Sequence, residues 1–268
     1  LRKEYNPKAV LPQKITNRKT GFLWSHENLW DLENHKQTKH WNTWKHRNTY
    51  SSAIKSTGAP VDFLTDEDNF DDYPFIVASA YQLIDQKLVD KWTKYVEKGG
   101  NLILSCRTGQ KNKNGHFFEA NWSAPIVPLI GADIDFFDVL VTDIKGNVKA
   151  AHNKFQWNTW ADVLSPRKGT EVLATYEDQF YKGKAAAVTR KLGKGTVTYI
   201  GVASTDGNLE RQIVRSVYER ANVAIENLPS GVFVEWRDGF FVGVNYSNDA
   251  VKLEIPQGSK ILVGQNPL

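Results

Sequence analysis

The sequence is poor in sulfur. Among 268 residues there is one cysteine, Cys106, and no methionine. A single thiol excludes an internal disulfide and a cysteine-rich zinc site. The missing Met and the opening Leu1-Arg2-Lys3-Glu4-Tyr5-Asn6-Pro7, which has neither signal-peptide nor initiator character, lead us to expect a piece of a longer protein, cut at both ends. No apolar run approaches the roughly 18 residues of a membrane helix, so no membrane partner is expected. Nineteen Gly and ten Pro are too few for a collagen or a linker. Charge of one sign is also lacking. Lys and Arg number 34 against 30 Asp and Glu, a formal net charge of +4, which is not the strongly basic balance of a nucleic-acid-binding domain.

The apolar fraction of 41%, with 9 Trp, 10 Tyr and 13 Phe, supports a folded chain with one or two cores. The charges are segregated. Residues 1–60 carry 11 Lys/Arg against four acids, and residues 61–100 carry nine acids against four Lys. Solvated faces of opposite sign explain this better than a nucleic-acid surface.

Residues 1–20 read as a connecting arm. Gly21-Phe22-Leu23-Trp24-Ser25 reads as a first strand, and residues 38–57 as a helix with Trp41, Trp44, Asn48 and Ser51 on one side. Pro60 to Leu64 and the apolar run Phe75 to Ser79 read as strands, the second covered on both faces. Asp85 caps a helix whose Leu88, Val89, Trp92, Tyr95 and Val96 form one stripe, stopped by Gly99-Gly100. Asn101 to Cys106 is another buried strand. This strand–helix–strand order predicts an α/β fold, a doubly wound and mostly parallel sheet of flavodoxin or class I glutamine amidotransferase type. After a polar loop from Arg107 to Trp122 and a short helix near 125–130, residues 132–200 read as strands and hairpins, with a turn at Gly193-Lys194-Gly195. A last helix spans about 208–222, with Leu209, Ile213, Val217 and Ala221 as its packing stripe. Beyond Leu228-Pro229-Ser230-Gly231 the period changes to two, and Asp238-Gly239 signals a hairpin. The expected organisation is an arm over 1–20, an α/β domain over 21–227 and a small antiparallel all-β domain over 228–268.

Few residues signal chemistry. Cys106 ends a central strand, where open α/β sheets gather their sites. Its neighbours Ser105 and Arg107 do not form the tight glycine turn that exposes a nucleophile, and a small buried hydrophobe is the better reading. His35, His40 and His46 are spaced by five and six, which a helix does not align into a metal set, and no cofactor or metal is expected. Gly193-Lys194-Gly195-Thr196 lies between strands and opens no helix, so it reads as a turn and not as a phosphate loop. His116, Phe117, Phe118 and Trp122 form an aromatic cluster on a loop, suited to packing, to a protein interface or to the wall of a sugar site.

Several stretches together resemble the tail of glycoside hydrolase family 42 β-galactosidases. They are Gly21 to Trp30, Gly58 to Leu64, Tyr95 to Leu104, Arg107-Thr108-Gly109 with the loop ending at Trp122, Gly193 to Gly201, and the hairpin from Val232 to Tyr246. In that family an α/β trimerisation domain and a small β-domain follow the catalytic barrel. The resemblance covers nearly the whole chain and rests on order and spacing more than on any one motif. It implies retaining hydrolysis of terminal β-D-galactosides, which needs two carboxylates about 5–5.5 Å apart. In the family both are barrel glutamates, so no residue here inherits a catalytic role, and the zinc-binding barrel cysteines are absent too.

What the resemblance leaves to this chain is support: a homotrimer with copies of itself, and the wall of a neighbour's active-site funnel. The candidates for that interface or funnel are His26, Glu27, Trp30, Arg107, His116, Phe117, Phe118 and Trp122, with Arg107 pairing an acid across the contact. The galactoside would be bound through the barrel, and a bacterial cytoplasm or periplasm is the expected setting. A stand-alone carbohydrate-binding module and a cysteine hydrolase or amidotransferase using Cys106 are the alternatives.

Overall fold

The computed structural model describes residues 6, 8–141, 143–255 and 257–262, with the side chain of Arg237 left aside. The first five residues and Pro7 of the expected arm therefore lie outside the described residues. The rest of the arm contains a short helix, α1 (Gln13–Thr16). It is already anchored by Ile15 and Arg18, which are 3% and 2% exposed.

Five parallel strands form as the apolar runs dictate. They are β1 (Thr20–Leu23), β2 (Val61–Leu64), β3 (Phe75–Ala78), β5 (Asn101–Ser105) and β12 (Gly195–Ile200), ordered β2-β1-β3-β5-β12. Between β3 and β5 lies a two-residue strand, β4 (Leu83–Ile84), paired with β6 (Lys111–Asn112). Successive side chains of a strand face opposite ways, so Phe22, Phe75, Val77 and Ile103 enter one core, and Leu23, Ile76, Ala78, Leu102 and Leu104 enter another. Helices α2 (His26–Asn34) and α3 (Thr43–Lys55) follow β1, α4 (Gln86–Lys98) joins β4 to β5, and α5 (Val127–Ile130) and α6 (Asn208–Arg220) come later. Asp85 caps α4 by accepting the Leu88 N–H at 2.8 Å, and its five stripe residues are all buried.

The rest of the sheet overturns the doubly wound expectation. After β5 no crossover helix returns the chain to a parallel strand. It runs instead through β7 (Ala132–Asp138), β8 (Gly146–Ala150), β9 (Asn153–Pro166), β10 (Thr170–Tyr176) and β11 (Ala185–Leu192), all antiparallel to their partners, and re-enters at β12 through a hairpin. With β13 (Val202–Ser204) on β9, the result is one mixed sheet of eleven strands, not a flavodoxin-like sheet. The antiparallel half curls back on itself, because β9 reaches β11 at Leu164↔Ala185.

The face of α3 also differs from expectation. The helix begins at Thr43, after the buried Trp41, and it buries His46, Arg47, Tyr50, Ala53 and Ile54 while Trp44 is 53% exposed. Two of these inward residues are polar, and specific bonds compensate them: His46 Nε2 lies 2.9 Å from Ser105 Oγ, and Arg47 donates to the Leu23 carbonyl at 3.0 Å. Helical spacing alone cannot announce such compensation.

Beyond α6, the Arg18 guanidinium donates to Glu226 Oε1 at 3.1 Å and to the Ala224 carbonyl, tying the start of β1 to the end of this unit. A separate hairpin follows, β14 (Val232–Arg237) and β15 (Phe240–Asn245), with its own small cluster of Leu228, Val232 and Val234. No further strand forms around Val251, Leu253 and Ile255. The hairpin rests on α3 through Lys55, which bonds the Val234 carbonyl at 2.8 Å and the Glu235 carboxylate.

Close backbone approach explains the Gly-Lys-Gly turn. A Cβ on Gly195 would stand 2.0 Å from the Gly100 carbonyl oxygen and 2.5 Å from that of Val96. Gly195→Ala is expected to destabilise the chain by about 2–3 kcal/mol through overpacking. Gly183→Ala, whose Cβ meets nothing within 4 Å but whose φ is +86°, is expected to cost about 1 kcal/mol from backbone strain alone. Denaturant melts of the two variants check the ranking.

Candidate functional site: the aromatic end of the parallel strands

The sequence candidates gather where the parallel strands end. There β3 and β5 run into two non-glycine residues with positive φ, Ala80 (+45°) and Arg107 (+68°). Such backbone persists only where its surroundings hold it. Ser105 holds the first, because its Oγ accepts the Ala80 N–H at 2.6 Å and lies 2.9 Å from His46 Nε2. Burial, with the Arg107 and Arg47 charges beside it, pushes His46 down to about 3 and keeps the imidazole neutral.

Arg107 is fully buried. Its guanidinium lies against the rings of Trp41 and Trp160, 4.4 and 4.8 Å from their centroids, and one amine donates to the His35 carbonyl at 3.0 Å. Nε and Nη1 have no hydrogen-bond partner among the described residues. Burial lowers the guanidinium to about 10, so it stays charged at neutral pH. Asp162, also buried, accepts the Tyr199 hydroxyl at 2.6 Å, the Trp160 indole N–H at 2.9 Å and, weakly, the Arg107 main-chain N–H at 3.4 Å. Burial outweighs these bonds and pushes its carboxyl up to about 6. The sequence reading missed Asp162, although an acid inside Ala161-Asp162-Val163-Leu164 is a visible signal.

Cys106 is 0% exposed, and burial holds its thiol well above the ordinary range. The imidazole behind it bonds Ser105 instead. This is a packed thiol with neither base nor access, so the cysteine-hydrolase reading has no support.

From Arg107 a ladder of rings runs outward. Trp160 stacks on Phe137 (4.4 Å, 5°), Phe137 on Trp122 (5.0 Å), and Trp122 on Phe117 (5.6 Å), which is 46% exposed. Phe118 is partly buried against the core below, and His116 is exposed. The expected polar loop is thus buried over residues 107–111 and aromatic beyond them. Lys111, 1% exposed, pairs with Asp31 of α2 at 2.9 Å and joins the two segments. Trp122 is therefore partly buried and Arg107 fully so, and Arg107 offers no exposed atom for an acid of another chain.

The second set lies beside it. Ser25 caps α2 by accepting the Asn28 N–H at 3.1 Å and bonds the exposed Glu27, whose carboxyl is lowered by its own main-chain N–H and by that hydroxyl. Four rings follow in sequence across the surface: Trp30–His26 at 5.9 Å, His26–Trp24 at 5.7 Å and Trp24–Phe63 at 5.5 Å. Trp30 and Phe63 are 63% and 64% exposed, and β2, which carries Phe63, is the sheet's edge strand. Phe63 was missed because it alternates outward in a strand read only as a strand. Among the described residues no group of three or more His, Cys, Asp or Glu is placed to hold a metal. The rings at both ends of this row are exposed and the acids beside them are engaged, Glu27 by Ser25 and Asp31 by Lys111.

Asp162 gives the site a pH signature. Its folded value, about 6 against an ordinary 3.8, favours the protonated form, so its stabilising contribution is complete below pH 4 and is lost as pH rises through 6. Asp162→Asn removes that loss. The stability of the variant relative to the parent is expected to improve by about 2–3 kcal/mol between pH 4 and pH 7, as read from urea melts at both values.

Residues 18–226 match the model of the β-galactosidase trimerisation domain, from the buried Arg18 to its partner Glu226. The β-galactosidase of Haloferax lucentense is 29% identical over 247 residues, covering 92% of this chain and 37% of that protein. That of Alicyclobacillus acidocaldarius is 27% identical over 265 residues, covering 92% and 38%. The solved structure of the polyextremophilic β-galactosidase from the Antarctic haloarchaeon Halorubrum lacusprofundi superposes with a TM-score of 0.80 at 27% identity, over 86% of this chain and 34% of that one. The chain spans little more than a third of the length of these curated relatives, and their sources are archaeal as well as bacterial. The chain belongs to the trimerisation-domain family of the glycoside hydrolase family 42 β-galactosidases.

Proposed function

We propose that this chain is the assembling, non-catalytic portion of a β-galactosidase. In the whole protein a barrel would carry the retaining hydrolysis of terminal β-D-galactosides and the contacts to the galactoside. This portion would join copies of the protein into a homotrimer and shape a neighbour's active-site funnel. One observation supports the reading best: a chain of the trimerisation-domain family carries two large rings, Trp30 and Phe63, more than 60% exposed at one sheet edge. Exposed aromatics of that size are the usual anchors of a protein contact. His26, Glu27 and Trp30 would meet the neighbouring copy from α2, while His116, Phe117 and Phe118 would form the rim beside them. Arg107 and Trp122 would hold that rim in place through the stacked ladder. The separate hairpin over 232–245 would serve as a small accessory β-domain packed on α3.

Light scattering and sedimentation test the proposal. The chain is expected to associate as a trimer, and the pair Trp30→Ala with Phe63→Ala to weaken assembly by about thirtyfold or more, the effect of losing one contact hot spot. A parent that stays monomeric at high concentration, or a double variant that assembles like the parent, contradicts it. In the whole protein, Trp122→Ala is expected to impair both assembly and galactoside cleavage, and unchanged values of both would exclude the rim.

A further inference from the structure

The strongest feature outside the aromatic edge is a groove between the outward side of α3 and the first turn of α6. It encloses about 580 Å³ and is lined by Asn42, Trp44, Asn48, Ser52, Asn208 and Arg211, among others. Trp44, Asn48 and Ser52 lie at i, i+4 and i+8, so they form one stripe along the helix, and all three face solvent. Trp44 is 53% exposed, the largest ring on this side of the molecule. Its indole is supported by Trp24, 5.8 Å away and tilted by 48°, and lines the groove.

The polar groups around the ring are available. Among the described residues Asn48 and Ser52 make no side-chain hydrogen bond. Asn208 uses its amide N–H on Asp206 at 2.7 Å, which leaves its carbonyl oxygen free to accept. Arg211 spends one amine on the Leu228 carbonyl and keeps its others. The opposite wall is fixed by Lys45, which bonds the Thr205 carbonyl at 3.2 Å, and by Gly207, which turns at φ +78° against Thr49. Lys45 and Asp206 in the lining carry opposite charges and are tied to the Thr205 carbonyl and to Asn208, and Arg211 is tied to the Leu228 carbonyl. A flat apolar ring flanked by amides, a hydroxyl and one guanidinium complements one class of ligand. A pyranose has an apolar C–H face and a rim of hydroxyls that both donate and accept.

We propose that this groove binds a neutral saccharide, with a pyranose ring laid on Trp44 and its hydroxyls bonded by Asn48, Ser52, Asn208 and Arg211. The inference goes beyond the assembly role, since it needs neither a second copy nor catalysis. Its geometry does not select one epimer, because it commits to a ring face and a hydroxyl rim.

Calorimetric titration of the chain with lactose, a galacto-oligosaccharide and maltotriose tests it, with glycerol as a polyol control. Saturable binding of at least one saccharide and none of glycerol is expected. Trp44→Ala should weaken it by about tenfold or more, and Asn48→Ala by about threefold. Trp30→Ala should leave it unchanged, with thermal melts of Trp44→Ala and Asn48→Ala matching the parent. The proposal is overturned if no saccharide saturates, if glycerol competes equally, or if Trp44→Ala binds like the parent. It is equally overturned if Trp44→Ala changes the association state and leaves saccharide affinity intact, for then the groove receives another copy of the chain. Loss of trimers in Trp30→Ala with saccharide binding preserved separates this inference from the assembly reading.

Discussion

A guanidinium without an acid beside it is costly to bury. Arg107 is held there by aromatic rings, since Trp41 and Trp160, set edge to face, both lie against it within 5 Å. The rings come from two parts of the chain, the loop before α3 and the long strand β9, and Arg107 itself ends β5. One charge thus gathers three segments that sequence keeps far apart. Asp162, next but one to Trp160, fastens the same point from the other side through Tyr199 of β12. The parallel and antiparallel halves of the sheet meet at this seam. The strained backbone at Ala80 and Arg107, the neutral His46 and the ladder out to Phe117 all follow from keeping it closed.

The parallel half was legible because its signals are local. A strand buried on both faces reads as an unbroken apolar run, as in Phe75 to Ala78. A helix against it shows a stripe, as in Leu88, Val89, Trp92, Tyr95 and Val96. The hairpin at Gly193-Lys194-Gly195 was equally visible. What sequence could not convey is that β7 to β11 continue the same sheet. Period-two alternation marks a strand but not its neighbour, and the partners of β9 are set by side chains such as Trp157, Trp160 and Asp162 packing at a distance.

The site was legible in part. His26, Glu27, Trp30, His116 and Phe117 lie exposed at one end of the sheet. Arg107 and Trp122 are drawn inward, because a charged or polar side chain can be buried when rings or carbonyls meet it, and no spacing rule reports that. The same physics inverted α3: His46 and Arg47 turned in to Ser105 and Leu23, and Trp44 turned out. Buried polar groups thus lie behind the departures at Arg107 and α3.

The central claim is that the Arg107 seam couples the two halves of the sheet into one cooperative unit, on which the contact surface is built. Native-state hydrogen exchange of Arg107→Met against the parent tests it most directly. The account predicts that amides of β5, β9 and residues 35–42 lose protection together, by about tenfold or more, as members of one opening unit. Loss confined to residues 105–111, with β9 and the 35–42 segment exchanging as in the parent, would contradict it.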